Sequence, residues 1–590
     1  MSRISNQYVS YLFRVYPNDP NTKEIAKKLE RKYPHVHAIT HILDGPSSKA
    51  DNINNVINNI YKYEEKNSLR FKGIIIHDSE DIVHPYEFML ENYLFDTKAA
   101  IQIPVFPLQE MPTIKNFFKN MITGTYADEF AENHIRNLSA RNSIGAFVPS
   151  AGTGFALRRD VLESFSDSNV FPVGSLTEDF KLSLQLKEKG FDLYYPLESL
   201  VRLNYQGEEK REFIATRSMF PKTYKAAVRQ KTRWIYGITM QSFRMRDVIS
   251  SKNLNFLSKY SLYRDYKSKI SNLLVLPGYL IFAYFIFSLV FNLPIMFIKY
   301  STSWYLMLFL TFLMIQRQIL RFFAVKTVYG VKSALIATVI PPVLPLRLVV
   351  GNVINFHATV NAWKMKLFKN KKKRNKKSKS STKPKWSKTD HEFLDKSILI
   401  RFKRTLGDDL IKKELISVAD LSKALKISKQ NKLRLGETIV KLGLIDEYEI
   451  IKSIAVVNRR EFIDIPLGGF PHRNKEKYDL KLLDSLGVFP LFETDYVLVL
   501  CTTINSDIDK IMAAFDKTVG IVYCTNDVYN SCINGEAGNY DVERNLYILE
   551  KLIHQGLINP KQGVIGLRHT KAGQDVTSVL KDMGLLYNID

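Results

Sequence analysis

The chain has 590 residues, a formal charge of +25 and three cysteines, Cys501, Cys524 and Cys532. The length implies about two to four domains, while the sparse, unpatterned cysteines exclude a disulfide-stapled scaffold or a zinc module and suit a reducing compartment. The charge is uneven, because Lys364 to Lys388 holds thirteen Lys or Arg and no acid, about half of the net excess.

The opening "MSRISNQYVSYLFRVYPND" has no long apolar core, so no cleavable leader is expected. Five apolar runs follow, "YVSYLFRVY", "HVHAITHIL", "FKGIIIHD", "AAIQIPVF" and "FDLYYP", separated by helical segments. They predict an α/β domain over residues 1–250. In "GIIIHDSEDIVHP" a strand through Ile74, Ile75 and Ile76 leads into Asp78, Glu80 and Asp81. Carboxylates after a parallel strand stand where α/β sheets bind ligands. The i, i+2 spacing of Asp78 and Glu80 suits one divalent cation, Mg²⁺ or Mn²⁺, bridging a diphosphate. A solvated acidic loop is the alternative.

"SLTEDFKLSLQLKEKGF" predicts a helix with Thr177 as N-cap, Glu178 and Asp179 in the first turn and Gly190 as the C′ glycine. These residues alone leave helix capping and chemistry both open. In "QKTRW", Arg233 suits bidentate phosphate contact and Trp234 offers a flat face to a sugar ring, with Gln230 beside them. The same residues suit an interfacial helix. His77, His84 and His134 have no partners at metal spacing and read as structural. There is no P-loop, no G-x-G-x-x-G and no nucleophile elbow.

Residues 251–363 form a membrane region. No charge interrupts Ile270 to Ile298, giving a span at about 272–298. A second span, about 303–323, ends in Arg317 and Arg321, which are expected to snorkel. Pro341, Pro342 and Pro345 break the third run, so 333–360 reads as re-entrant or interfacial. Basic residues flank both sides: Arg244, Arg246, Lys252, Lys259, Arg264, Lys267 and Lys269 before, and a basic linker, 364–395, after. Both flanks are then cytoplasmic, with an even number of crossings. The linker is read as attracted to anionic lipid. It lacks the interleaved aromatics of single-strand binding, so no nucleic-acid partner is expected.

Residues 396–590 carry a repeat. "TLGDDLIKKELISVADLSKAL" and "RLGETIVKLGLIDEYEIIKSI" align at a 29-residue offset, and a weaker pair lies at "LEKLIHQGLINPKQGVIGL" and "VTSVLKDMGLL". A small α/β unit lies between them.

In order, "GPSSKADNIN", "HDSEDIVHP", "SAGTGFALRRDVL", "LTEDFKL" and "QKTRW", followed by membrane spans, resemble the family 2, GT-A-fold processive glycosyltransferases, and within them the bacteriophage-adsorption protein B type. The resemblance implies an inverting, inner-membrane, multi-pass enzyme with cytoplasmic catalytic and C-terminal domains. It would build an exported polysaccharide from a UDP-sugar. It implies Asp179 as general base with Glu178 beside it, and a helix N-terminus that lowers the pKa of Asp179. Asp78, Glu80 and Asp81 would hold the metal. Asp19, Lys49 and Asp78 would contact the nucleotide sugar, Gln230 and Arg233 the leaving diphosphate, and Trp234 the acceptor sugar. Gly152 and Gly154 either line the acceptor path or make a tight turn. Only about ten residues precede "YLFRVYPND", where the family has its first strand. The expectation is a domain lacking that strand, with a missing N-terminal fragment or a partner to supply it, and an outer-membrane partner for export.

The repeat resembles the MshEN domain of type II secretion ATPases, which binds cyclic di-GMP in some members. The resemblance implies Arg434, Leu435, Gly436 and Gly443 as contacts, with Thr405 and Glu414 departing from the pattern in the first copy. Packing without a ligand is the alternative for the repeat. A catalytically inactive scaffold or second-messenger sensor, coupled to an export system or phage receptor, is the alternative for the chain.

Overall fold

A computed structural model describes residues 9–32, 36–41, 44–45, 47–165, 169–203, 208–291, 293–294, 298–340, 345–375, 405–458, 460–464, 477–495, 497–504, 506–515, 517–534 and 540–586. The chain divides into two compact units. Unit 1 is Met1–Leu200 with Phe213–Lys403, and unit 2 is Val201–Glu212 with Arg404–Asp590.

Unit 1 opens with β1 (Tyr11–Val15), α1 (Pro20–Lys32), β2 (Val36–Thr40), α2 (Lys49–Lys66), β3 (Gly73–Ile76), α3 (Glu87–Leu94), β4 (Ala100–Gln102) and β5 (Val105–Pro107). Then come α4 (Phe117–Glu132), α5 (Ser139–Ser143), β6 (Phe155–Arg158), α6 (Arg159–Glu163), α7 (Glu178–Glu188) and β7 (Leu193–Tyr194). Strands β1 and β2 pair in parallel. A separate four-stranded sheet has the order β3-β6-β4-β7, with β6 antiparallel to both β3 and β4. Its strands are short and apolar, and Ala100, Ile101, Phe155, Ala156 and Leu157 are wholly buried between flanking helices. The domain is thus the expected α/β fold, with one difference. The only ladder partner of β3 among the described residues is the antiparallel β6, so Asp78 follows a strand of a mixed sheet.

Helix α7 ends as the sequence predicts. Gly190 adopts φ +88°, and the N–H of Phe191 returns to the carbonyl of Leu186 at 2.9 Å, a Schellman closure. Its start differs. Thr177 holds the cap position without capping, because its hydroxyl bonds the hydroxyl of Ser242 at 3.2 Å.

After the paired strands β8 (Ser199–Leu203) and β9 (Glu209–Phe213), most of whose residues belong to unit 2, β10 (Thr216–Ser218) pairs in parallel with β5. The helices α8 (Tyr224–Tyr236), α9 (Met245–Ser250), α10 (Phe256–Phe291), α11 (Thr302–Tyr329), α12 (Val331–Thr338) and α13 (Leu346–Asn375) complete the unit. In α10 and α11 the stretches Phe256–Phe285 and Thr302–Tyr329 are long and apolar enough to cross a membrane. The segment 333–360, expected to be re-entrant or interfacial, holds most of α12 and the start of α13 among its described residues. Ile354, Ala358 and Ala362 of α13 are fully buried, so packing on protein rather than lipid explains its apolar character. Helix α13 carries the first part of the basic run as regular helix, and the rest of that run lies outside the described residues. Arg321 does not snorkel. It is buried, 3.6 Å from Asp128, which also faces Arg347 at 3.4 Å.

Unit 2 turns the sequence repeat into a structural one. Four helices, the short Leu406–Lys412 and Leu435–Lys441, the longer Tyr540–His554 and the short Val576–Asp582, are each followed by a left-handed residue: Glu414, Gly443, Gly556 and Gly584 respectively. After the first three, a side chain caps the next helix. These caps are Ser417, Asp446 and Asn559. Gly407 and Gly436 are needed for helix crossing, since a Cβ there would lie 2.8 Å from Leu421 and 3.0 Å from Ile450. Strands β11 (Glu461–Ile463), β12 (Val488–Glu493), β13 (Val497–Thr502) and β14 (Thr518–Cys524) form a sheet in the order β11-β14-β13-β12.

Candidate active site

The site gathers on Gly152. Lys49, the first residue of α2, donates through Nζ to Asp78 Oδ1 and, at 3.0 Å, to the carbonyl of Gly152. Gly152 has φ +78°, and a Cβ there would sit 2.8 Å from Asp179 Oδ2. The Asp179 carboxylate therefore lies directly against a bare backbone, and any side chain at 152 would displace it. Gly154, with φ +55°, leaves room for Thr216 of β10 in the same way. Both glycines are close-approach positions.

Charges in this cluster bias one another. Burial would lower the Lys49 ammonium, but the carboxylates of Asp78, Glu178 and Asp179 more than offset it and hold Lys49 protonated. Burial raises the Asp179 carboxyl above its usual range, against the opposing pull of Lys49, the Phe180 amide and Arg233. The lowering expected from the helix N-terminus is thus present in the Phe180 amide but outweighed by desolvation. Glu178 is raised too, by burial and then by the Asp179 charge. The structure brings together Lys49, Asp78, Gly152, Glu178, Asp179 and the charge of Arg233.

The three acids after β3 take different positions. The Asp78 side chain is 38% exposed, Glu80 is half-buried, and Asp81 is 1% exposed. Asp81 accepts from the hydroxyls of Thr153 and Ser218 and, at 2.9 Å, from the amide of Asp78. His77 stands between Asp81, 3.8 Å away, and the buried Glu87, 3.1 Å away. Burial would lower the His77 imidazole, but Asp81 and Glu87 push it up to about 10. Asp81 therefore organises the loop. Among the described residues no three His, Cys, Asp or Glu converge on a point that could hold a metal. Asp78 and Glu80 are carboxylates of the hard-oxygen kind that suits Mg²⁺ or Mn²⁺, with Asp78 paired to Lys49 and Glu80 accepting from the hydroxyl of Ser79 at 3.1 Å.

His77, Glu87, Thr153 and Ser218 were not assigned this role from sequence. The available signal was the position of His77 beside Asp78. The other expected residues have the following surroundings. Asp19 caps α1, accepting from the amide and hydroxyl of Thr22 at 3.1 and 2.7 Å. Trp234 is half-buried and packs edge-on against Tyr126 at 6.1 Å. The buried Oε1 of Gln230 has no hydrogen-bond partner among the described residues. In unit 2, Arg434 donates to the carbonyls of Ile504 and Ser506 at 2.6 and 3.2 Å. Leu435 and Gly436 pack in the repeat core, and Gly443 makes the left-handed turn.

Residues 3–237, which hold every member of the cluster, match the family described as "Glycosyltransferase like family 2". Residues 3–237 therefore carry a family 2 glycosyltransferase-like domain. It is 33% identical over 462 residues to Bacteriophage adsorption protein B of Escherichia coli (strain K12), and equally to Bacteriophage N4 adsorption protein B of Escherichia coli O157:H7. The match covers 75% of this chain and spans 58% of the length of each relative. Among solved structures, the chain is similar to MshE with cdg (19% identity, 22% of this chain and 94% of that one, TM-score 0.20). It is also similar to a mannosyltransferase of Pyrobaculum calidifontis in complex with GDP-Man and Mn²⁺ (12% identity, 57% of this chain and 88% of that one, TM-score 0.30).

Proposed function

We propose that the chain is an inverting transferase that adds a sugar from a UDP-sugar to a growing polysaccharide at the cytoplasmic face of a bacterial inner membrane. The observation that carries this reading is the Asp179 carboxylate seated on Gly152, with Lys49 bridging to Asp78. Asp179 takes the proton of the acceptor hydroxyl as its oxygen attacks the anomeric carbon. The bond from that carbon to the donor phosphate breaks, and the diphosphate leaves with the electron pair. A carboxylate raised by burial is the stronger base, and Lys49 and Arg233 favour its ionised form. The same two cations, with Gln230, receive the departing diphosphate. Asp78 and Glu80 would hold a divalent cation, which supplies charge neutralisation to the diphosphate when bound. Asp81, His77 and Ser218 keep that loop in place, and Trp234 gives the acceptor a wall.

Turnover tests the reading. Purified protein in lipid is given a panel of UDP-sugars with Mg²⁺ or Mn²⁺, and released UDP is measured. Turnover with one sugar supports the enzyme and names its donor. Silence across the panel, with and without cyclic di-GMP, would favour the inactive scaffold. In the same reading the repeat of unit 2 takes cyclic di-GMP through Arg434, Leu435, Gly436 and Gly443, and calorimetric binding that survives Arg434→Ala would reject that assignment.

A further inference from the structure

Between β5 and α4 the chain reads "QEMPTIKNFFKNM", Gln109 to Met121. Its apolar side chains point outward: Ile114 is 99% exposed and Phe118 83%, with Met111 and Phe117 partly so. The segment is built rather than loose. The amide of Thr113 donates to Asn116 Oδ1 at 2.6 Å and the amide of Asn116 to Thr113 Oγ1 at 3.2 Å. Asn116 Nδ2 reaches the carbonyl of Met111, and Asn120 Nδ2 that of Glu110. A backbone so closed holds Ile114 and Phe118 in solvent, where apolar surface is unfavourable.

Two observations say what covers them. From Met111 to Ala127 there is no acid, and the exposed Lys115 and Lys119 alternate with the apolar residues. This is the pattern of an element that sinks apolar groups into a bilayer and leaves its cations among anionic headgroups. The segment is also moored to one end of the candidate span α11. Tyr329, its last residue, donates to the carbonyl of Pro107 at 2.7 Å, and Ser333, at the start of α12, approaches Met111 Sδ at 3.7 Å. Phe312, Ile315 and Phe323 of α11 are themselves exposed.

We propose that Met111–Phe118 is a lipid-docking finger that places Ile114 and Phe118 at the acyl boundary of an anionic leaflet, with Lys115 and Lys119 at its headgroups. This rests on reading α11 as membrane-spanning. The finger begins α4, whose Tyr126 packs on Trp234, so lipid contact would also seat a wall of the proposed acceptor path.

The test uses the full chain in nanodiscs containing phosphatidylglycerol. Cys501 and Cys524 are buried, and Cys532→Ser completes the background. Nitroxides are attached at Ile114→Cys, Phe118→Cys, Lys115→Cys and, as a control in α11, Leu310→Cys. Relaxation by oxygen and by a water-soluble nickel chelate is then compared. The proposal expects positions 114 and 118 to favour oxygen, position 115 to favour nickel, and the preference at 114 to fall when Lys115→Gln and Lys119→Gln are combined. Nickel access at 114 and 118 equal to that at 115 would overturn it. Shielding from both reagents would overturn it too, by pointing to a protein partner. A control at 310 open to nickel would mean that the spanning reading itself had failed.

Discussion

Unit 1 and unit 2 both place acids in the first turn of a helix, with opposite outcomes. Glu178 and Asp179 open α7 in a buried setting that raises both carboxyls, and Asp179 faces a glycine backbone. Asp408 opens the helix Leu406–Lys412 and closes a capping box with Thr405. There burial would raise the carboxyl, but Arg202, at 2.6 Å, and the Thr405 amide lower it below its usual range. One acid is held away from its preferred state and the other is held in it. The difference lies in what the rest of the fold brings to the helix start. Stability is given up where chemistry is proposed and gathered where only packing is asked.

Four expectations sharpen or break that contrast. The largest concerns Arg202, which joins Asp408 and Glu212 within unit 2. Arg202→Ala removes the guanidinium that Asp408 and Glu212 share and should cost about 3 kcal/mol of the stability of unit 2, read by hydrogen exchange. Loss below about 1 kcal/mol would mean that the pair is screened like a surface bridge.

Next is the glycine pair. Gly152 and Gly443 have similar φ, +78° and +65°, but only Gly152 has a neighbour within 4 Å. Alanine at either should cost about 1–2 kcal/mol of backbone strain. Gly152→Ala should also lower turnover about a hundredfold by displacing Asp179, and Gly443→Ala should leave turnover measured without cyclic di-GMP unchanged. Equal effects on turnover would remove the close-approach argument.

The third expectation is a gain. Glu414 adopts φ +57° where the other three copies of the repeat have glycine. Glu414→Gly should stabilise unit 2 by about 1 kcal/mol, seen as a raised unfolding midpoint. A fall would mean that the Glu414 side chain contributes more than its backbone costs.

The smallest is the pH response. Asp408 is lowered, and Glu493 is lowered to about 2 by Lys477 and Lys517 against burial. Their contribution is full above the unfolded carboxylate range near pH 4 and is lost as pH falls from there through their folded values. Glu178 and Asp179 are raised, so their contribution is present below that range and lost as pH rises toward their folded values. Acidification from pH 7 to 4 should tighten exchange around α7, and further acidification to about pH 2 should loosen unit 2. Parallel loosening of both would contradict the assigned shifts.

Much of this was legible in the sequence. The Gly190 terminus, the α/β alternation, the order of motifs and the repeat offset are local or periodic, and local signals survive without a fold. The roles of the three acids after β3 were not. Asp78, Glu80 and Asp81 are chemically alike, and what separates them arrives from Thr153 and Ser218, 72 and 137 residues away. Thr177 read as a cap because the hydroxyl that claims it, on Ser242, is 65 residues distant. Arg321 read as snorkelling because Asp128, its partner, lies on another helix. Three prolines mark the break in the third apolar run, but nothing in the sequence says that protein covers Ile354, Ala358 and Ala362. The sequence placed charged groups; their pairing is a property of the fold.

The most direct test of the central claim is UDP release by Asp179→Asn beside wild type, with Mn²⁺–UDP affinity measured on both proteins. The account predicts turnover lowered by about 10²–10⁴-fold with affinity little changed. Turnover near the wild-type level in the variant would remove Asp179 as the base and, with it, the meaning given to its seat on Gly152.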